Sequence, residues 1–324
     1  MFRTTLAALV LSTASFAADR DPAVRPGLDL VGQIAGASRV GSLHVNLFGV
    51  ETPFAEAAEV NRAGEFRFHS LTPGNYTVAV VRSGLGEIRR TVVISSALAD
   101  RTGVVRATIP YTAAEAAANP SSGVVSVHQL SIPGNASAKY AEAQKRLAAH
   151  DPDGAVRILE EAVALAPEFS TAWNALGVLA FQTGDAEHAE AFFRKALAAD
   201  PDAFEPLVNL GGVLLKKKDL AHSLAVNQRA VLARPEDALA NAQLGITCFK
   251  LDQLDQAEQY LLAAKRLDPA HYTQPQLFLA DIYVHRGDRA AAIQELENLL
   301  EIRPDGPLSD GIRHTLAQLS TPRP

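Results

Sequence analysis

The fold is decided by the stretch from residue 173 to residue 201, which reads WNALGVLAFQTGDAEHAEAFFRKALAADP. Related stretches recur with a step of 34 residues, and a proline marks the end of each, the last of them one residue late: Pro167, Pro201, Pro235, Pro269 and Pro304. A small residue stands 24 places before each proline: Ala143, Gly177, Gly211, Gly245 and Ala280. Because small residues allow two helices to approach closely, this pattern predicts a helix-turn-helix unit repeated five times.

The strongest unit resembles the tetratricopeptide repeat (TPR). It carries an aromatic start, a Leu-Gly pair, a Gly-Asp turn and then small and aromatic residues before the proline: Trp173, Leu176, Gly177, Gly184, Asp185, Ala189, Phe193, Ala196 and Pro201. In this frame the units span 136–169, 170–203, 204–237, 238–271 and 273–306. Residues 307–319 have apolar side chains at helical spacing and are predicted to form a capping helix. The resemblance implies a right-handed all-α solenoid.

Bulk composition sets further limits on function. The chain has 324 residues, of which 48% are hydrophobic and 20% are charged, as is usual for globular proteins. Its net charge of −6 means that basic residues are not in excess, so we do not expect nucleic acid as a partner. The single cysteine, Cys248, cannot form an intramolecular disulfide.

The first 17 residues have the order of parts of a secretory signal. Arg3 precedes an apolar run from Leu6 to Leu11, and the small-x-small triplet Ser15-Phe16-Ala17 follows. We therefore expect cleavage and export to a periplasmic or extracellular location. The apolar run is too short to span a bilayer, and no cysteine follows it at which a lipid could be attached.

Residues 26–110 change to a period of two, which predicts short strands and a small antiparallel β-sandwich. The run Gly64-Glu65-Phe66-Arg67-Phe68, followed by Leu71-Thr72-Pro73-Gly74-Asn75-Tyr76-Thr77-Val78, resembles the carboxypeptidase regulatory-like, transthyretin-like family. This motif is a packing signature, and the resemblance supplies no catalytic residue. The connector, residues 111–135, contains a short Ala/Glu-rich helix and a β-prone piece at 124–132, which we expect to pack on one of the two domains.

No residue constellation predicts catalysis or metal binding. The nine histidines lack ligand spacing, and Asp151-Pro152-Asp153-Gly154 lacks the later ligands of a calcium loop. Cys248 falls at a packing position, and no Ser/His/Asp set is evident. Lys216-Lys217-Lys218 is interpreted as a solvated helix end, with a patch for an acidic partner as the alternative. We therefore predict a protein that is not an enzyme, with no cofactor and no metal.

The resemblance to TPR proteins implies that the first helix of each unit lines an extended concave groove. The family positions that face a partner there correspond to Asn174, Val178, Phe181, Gln182, Val208, Leu215, Lys216, Ala242, Ile246, Phe249, Lys250, Leu277, Asp281, Val284 and His285. This set is mostly apolar and offers too few basic and amide groups for a chaperone-tail clamp. It suits an amphipathic helix or an extended apolar segment. The alternative is that the groove is filled from within, by the connector or by the curvature of the array.

The sequence thus predicts a multidomain chain, a β-sandwich followed by a five-unit TPR solenoid, that acts as an exported scaffold for an unidentified protein or peptide partner. A second hypothesis is an accessory module that binds carbohydrate or cell wall through the sandwich, with the repeats as a spacer. A third hypothesis is a hydrolase subunit, but the sequence shows no nucleophile paired with a base. The oligomeric state is left open.

Overall fold

Alternating apolar side chains between residues 28 and 110 form seven strands in the computed structural model, which describes residues 27–36, 43–118, 131–304, 306 and 308–321. The predicted signal and nearly all of the β-prone connector piece lie outside these residues. The strands are β1 Leu28–Ala35, β2 Leu43–Gly49, β3 Ala55–Glu59, β4 Glu65–Leu71, β5 Gly74–Arg82, β6 Gly86–Ile94 and β7 Val104–Pro110.

The strands form two sheets that pack face to face. One sheet has the order β4-β1-β7 and the other β3-β2-β5-β6. Neighbouring strands are antiparallel except β1 and β7, which run parallel with Gly32 opposite Ala107. Phe68, Tyr76 and Ile88 lie in the core between the sheets. The predicted β-sandwich is confirmed.

Helices follow in the described residues after the strands. They are α1 Ala113–Ala118, α2 Gly134–Ala148, α3 Pro152–Leu165, α4 Ser170–Gln182, α5 Ala186–Ala199, α6 Phe204–Lys216, α7 Leu220–Ala233, α8 Ala238–Lys250, α9 Leu254–Leu267, α10 Pro275–Arg286, α11 Arg289–Ile302 and α12 Ser309–Ser320. From α2 to α11 they pair as successive hairpins, here called the array, and α12 covers the last pair. The predicted helical solenoid is confirmed. We call the first helix of each pair an A helix and the second a B helix.

The small residues in the A helices provide the close contact that the sequence predicts. A Cβ atom at Gly177 would lie 2.5 Å from the ring of Phe193, which is fully buried in the partner helix. At Gly245 the same atom would meet Leu261 at 2.8 Å. Because both neighbours are packed in the core, these two hairpins close only when glycine stands at this place in the A helix.

The turn inside each hairpin uses one backbone conformation five times. The residue that ends the A helix region has positive φ in every pair: His150 56°, Gly184 88°, Lys218 64°, Asp252 61° and Gly287 80°. This left-handed conformation lets the next N–H groups bond back to the last carbonyl groups of the A helix, as the N–H of Asp185 does to Ala180 at 2.9 Å, while the chain reverses. The residue after it is the N-cap of the B helix, so the turn has a fixed length.

Candidate binding surface

The outer face of the four-stranded sheet lies against the array. Ala79 alternates with the core residues Val78 and Val80, so it points out of the sandwich, yet it is only 1% exposed. Its cross-strand partner on β6 is Arg89, and the next residues on the same face of β6, Glu87 and Thr91, are 6% and 8% exposed. Charged and polar residues on a sheet surface are normally solvated, so their burial shows that this surface is covered by another part of the chain.

The sandwich contacts the first two helix pairs through β3 and the turn before it. The ring of Phe54 lies 5.3 Å from the ring of His150, in the turn of the first pair, and Ala55 packs on the core of α2 and α3. Gln182, the last residue of α4, donates a hydrogen bond from Nε2 to the carbonyl oxygen of Gly49 at 2.9 Å. This predicted groove residue is therefore already engaged with the sandwich.

An ionic cluster joins β6 to the first turn of α6 and to the loop before α8. Arg234 lies 2.9 Å from a carboxylate oxygen of Glu87 and 3.1 Å from one of Glu205. Arg89 bridges the same two carboxylates, at 2.7 Å and 3.2 Å. The guanidinium carbon of Arg234 lies 4.1 Å from the centre of the Phe204 ring, within cation–π range. Two cations and two anions thus alternate across the domain boundary.

Burial and charge act in opposite directions in this cluster. Burial would raise the pKa of Glu205, but Arg89 and Arg234 outweigh it and hold this pKa below its ordinary value. Nearby, burial raises the pKa of Asp237 despite Arg89, and its Oδ1 accepts a hydrogen bond from the backbone N–H of Ala240. Asp237 therefore caps α8 at the edge of the cluster.

A second set of polar contacts joins β5 and β6 to the end of the array. The backbone N–H of Thr91 donates to Oδ2 of Asp268 at 2.8 Å. Arg303, after α11, donates to Oδ1 of Asn75 at 3.1 Å and to the carbonyl oxygen of Ala270 at 2.7 Å. With these bonds the sandwich contacts all five helix pairs.

The predicted groove residues divide into two groups along the A helices. Four of them in the first two-thirds of their helices are buried and offer no surface to a partner: Val208, Ala242, Ile246 and Leu277. Asn174, Val178 and Asp281 are half-buried in the same zone, and Asn174 accepts a hydrogen bond from Asn209 of the next A helix at 3.0 Å. The last two positions remain partly or fully exposed: Phe181, Gln182, Leu215, Lys216, Phe249, Lys250, Val284 and His285. We call these eight residues the terminal row.

Each of the four A helices contributes one apolar residue and then one polar residue to the terminal row. Nζ of Lys216 lies 4.7 Å from the centre of the Phe181 ring. Phe249 packs edge-to-face on Phe278 with ring centres 5.5 Å apart, which fixes its orientation. Val284, near the end of α10, is 39% exposed. The terminal row is thus an amphipathic ridge at the edge of the concave surface, and packing contacts hold its side chains in place.

Sequence reasoning missed the residues that dock the sandwich. Glu205 occupies the second position of the third unit, a family groove position, so the repeat frame could have singled it out. Arg234 and Asp268 lie in loops between hairpins, and their partners on β6 come from a distant part of the sequence. No spacing rule connects residues 87 and 234, and this contact becomes visible only in three dimensions.

Other chemically suggestive residues have structural partners. His188 and His222 lie 2.6 Å and 2.8 Å from Asp185 and Asp219, which cap the following B helices. Cys248 is buried, and burial raises the pKa of its thiol. In the described residues no group of His, Cys, Asp and Glu could hold a metal ion. None of the helices placed by the structure is both long and apolar enough to cross a membrane.

Comparison with known proteins agrees with the repeat pattern. One tetratricopeptide repeat model matches residues 140–204, and another matches 238–271 and 274–305. The cell division cycle protein 16 homologs of Homo sapiens and Mus musculus are each 30% identical over 119 residues, 34% of this chain and 19% of the relative. The chain therefore covers only about a fifth of these curated relatives.

Several solved structures resemble the helical part. MamA from Desulfovibrio magneticus RS-1 is 25% identical, with a TM-score of 0.49, over 55% of this chain and 99% of MamA. YrrB, described as a TPR protein with an unusual peptide-binding site, is 23% identical, with a TM-score of 0.48, over 59% and 99%. PilW, a type IV pilus biogenesis factor, is 22% identical, with a TM-score of 0.49, over 58% and 90%.

The matched segments coincide with helix hairpins closed by small residues. Tetratricopeptide repeat proteins are typically non-enzymatic, and the matching models indicate no catalytic family. Residues 140–204, 238–271 and 274–305 are tetratricopeptide repeats, the building blocks of proteins that generally act as scaffolds for protein–protein interaction.

Proposed function

We propose that this chain is an exported, non-enzymatic scaffold that binds a segment of a partner protein along the terminal row. The observation that carries the proposal is the exposure of this row on a surface that is otherwise covered. The sandwich and the packing of neighbouring helices bury the first part of the A helices, whereas Lys216, Val284 and His285 remain exposed at their ends.

The chemistry of the row suits a protein segment. Phe181, Leu215, Phe249 and Val284 offer apolar contacts about one hairpin apart, and a polar residue follows each of them. An amphipathic helix or an extended segment presents side chains at comparable intervals, and such segments commonly bind in shallow grooves. A rigid aromatic residue such as Phe249, already held by Phe278, loses little conformational entropy on binding.

Export is proposed from the first 17 residues alone. Their positive start, apolar run and small-x-small triplet favour a cleavable signal. Sequencing the amino terminus of the protein purified from its native source tests this point. A mature terminus within a few residues of Ala17 supports export, and an intact Met1 contradicts it.

Carbohydrate or cell-wall binding by the sandwich is less favoured. A sheet face that recognises a sugar needs accessible polar and aromatic side chains. Glu87, Arg89 and Thr91 on the outer face instead contact the array. No exposed group of aromatic side chains on the described strands compensates for this loss.

Site-specific photocrosslinking tests the proposed function. A photoreactive amino acid at position 284 is expected to form a defined adduct in a native envelope extract, because Val284 lies in the terminal row. The matched control is Leu232, which is 81% exposed on the B helix α7. An adduct at 284 that is absent at 232 supports the proposal. Equal labelling at both positions, or labelling only at 232, contradicts it.

A further inference from the structure

Three lysines at the ends of α6 and α8 lack the carboxylate partners that several other cations of the described residues have. Lys217 pairs with Glu187 and Glu190, Lys265 with Glu295, and Arg266 with Glu236. In the part of the chain that the structure describes, no carboxylate lies within ion-pair distance of Lys216, Lys218 or Lys250. These three lysines lie in or directly beside the terminal row, in a protein whose net charge is −6.

Two of the three lysines, Lys218 and Lys250, lie near enough to repel each other. Lys218 is the left-handed residue of its turn, with φ of 64°, so the backbone fixes the direction in which it leaves the array. Lys250 is half-buried at the end of α8, and burial and then the charge of Lys218 lower the pKa of its amine. Repulsion between two like charges with no carboxylate between them raises the free energy of the protein alone. A bound anion would offset this repulsion.

Apolar residues adjoin two of these lysines. Phe181 lies beneath Lys216, and Leu215 and Phe249 directly precede Lys216 and Lys250 in the sequence. An extended polyanion could pair with these lysines but would gain nothing from the aromatic and aliphatic side chains beside them. A protein segment that alternates acidic and apolar side chains would use both.

We infer that the terminal row binds a partner segment in which aspartate or glutamate side chains alternate with apolar ones, the carboxylates pairing with Lys216, Lys218 and Lys250. This inference rests on the proposed function and names the chemistry of its partner. The apolar side chains of the segment would lie on Phe181, Leu215 and Phe249. The lysines would supply orientation and a fast, salt-dependent approach of the partner.

Selection of random 12-residue peptides displayed on phage tests the inference with the full chain as target. The expected result is enrichment of peptides that carry several Asp or Glu residues together with Leu, Phe or other apolar residues. The affinity of a selected peptide should fall as the salt concentration rises, since exposed charges are screened over about 8 Å at physiological ionic strength.

Two paired variants identify the surface. The double variant K218N/K250Q removes two lysine charges and keeps a residue type that accepts a left-handed turn at position 218. Its control, K145Q/R157Q, removes two charges from exposed positions of α2 and α3. Loss of two surface charge contacts should weaken peptide binding about 3- to 10-fold in the first variant, with no change in the second. Unchanged thermal melting establishes that both variants are folded.

The possible outcomes separate this inference from the proposed function. If selected peptides are neutral or basic but still crosslink to position 284, the proposed function stands and the acidic chemistry is wrong. If nothing crosslinks to the terminal row, both the proposed function and this inference are wrong. If heparin or DNA binds as tightly as the acidic peptides and competes with them, the row is a general polyanion surface, and the inference is overturned.

Discussion

Arg234 illustrates how one residue supports the contact between the two domains. Its guanidinium pairs with Glu87 of the sandwich and with Glu205 of the array, and it lies over the ring of Phe204. Glu87 and Arg234 are both buried, so removal of either leaves a charge that water cannot reach. Such a loss is more costly than the pair is stabilising.

The substitution Arg234→Met should therefore destabilise the protein. Methionine fills much of the volume but leaves Glu87 and Glu205 with only Arg89, so we expect a loss of about 2 to 4 kcal/mol in the free energy of unfolding. Urea denaturation followed by circular dichroism measures it. The control Arg266→Met removes an exposed pair with Glu236 and should cost at most about 1 kcal/mol. Equal effects of the two substitutions would contradict the assigned role of the cluster.

His271 makes stability depend on pH. Its Nδ1 accepts from the backbone N–H of Thr273 at 3.3 Å, and burial and then Arg303 lower its pKa from 6.5 to about 3. Because the folded state disfavours the protonated ring, stability is complete above pH 6.5. It is lost as pH falls from 6.5 towards 3, by about 1.4 kcal/mol per pH unit.

Denaturation at several pH values between 4 and 7 checks this expectation. The His271→Gln variant has no titrating group at this position, so its stability should fall less steeply below pH 6.5 than that of the unmodified chain. The difference between the two slopes isolates His271 from the carboxylates, which titrate in both proteins. Parallel slopes would show that the ring does not resist protonation in the folded state.

At the scale of elements, the B helices share one capping position. Asp151, Asp185, Asp219 and Asp288 each accept a hydrogen bond from the backbone N–H three residues later, at 2.9 to 3.4 Å. The corresponding residue before α9 is Gln253, whose side chain makes no capping bond. Its φ and ψ of −89° and 65° nearly match the −79° and 73° of Asp219, so the backbone is already arranged for a cap.

The substitution Gln253→Asp should consequently stabilise the protein. A carboxylate at this position can accept from the backbone N–H of Gln256 and lies at the positive end of the helix dipole, for a gain of about 0.5 to 1 kcal/mol. Thermal denaturation at pH 7 measures the change. The reverse substitution, Asp288→Gln, should lower stability by a similar amount. A loss of stability with Gln253→Asp would mean that repulsion by Asp252 and Asp255 exceeds the benefit of the cap.

The elements themselves were largely predictable from the sequence. The prolines and small residues repeat with a fixed step, and the hairpins follow because a glycine such as Gly177 has one role, which is to admit Phe193. Alternation predicted the β-sandwich for a similar local reason. Asn227 shows the limit of such rules. It is fully buried at a position where Phe193 and Leu261 stand in neighbouring units, and it bonds to Ser223 and Thr247.

At the scale of the whole molecule, the docking of the sandwich could not be predicted. Repeats and alternation are short-range signals, whereas docking depends on pairs such as Thr91 with Asp268, which lie 177 residues apart. The groove was expected to be either open or filled from within. The structure instead buries the start of its A helices and leaves the terminal row exposed, so the predicted partner-binding residues are not equally accessible.

Docking should make the two domains unfold together. The contacts at both ends of the array link the stability of the sandwich to that of the hairpins, so we expect one urea transition, with tryptophan fluorescence from Trp173 and far-ultraviolet circular dichroism coinciding. The triple variant R89M/E205Q/R234M removes most of the interdomain cluster and should separate the transitions of the strands and the helices. Two transitions in the unmodified chain would show that the domains are independent.

Contact with every hairpin has a consequence for how this protein can change during evolution. A solenoid whose units contact only their neighbours can gain or lose a unit by recombination, because each new junction repeats an old one. Here the sheet reaches from His150 to Arg303. One unit more or fewer would move the far end of the solenoid by the thickness of a hairpin and separate Asn75 from Arg303. The length of the β-sandwich therefore fixes the number of repeats that this molecule can carry.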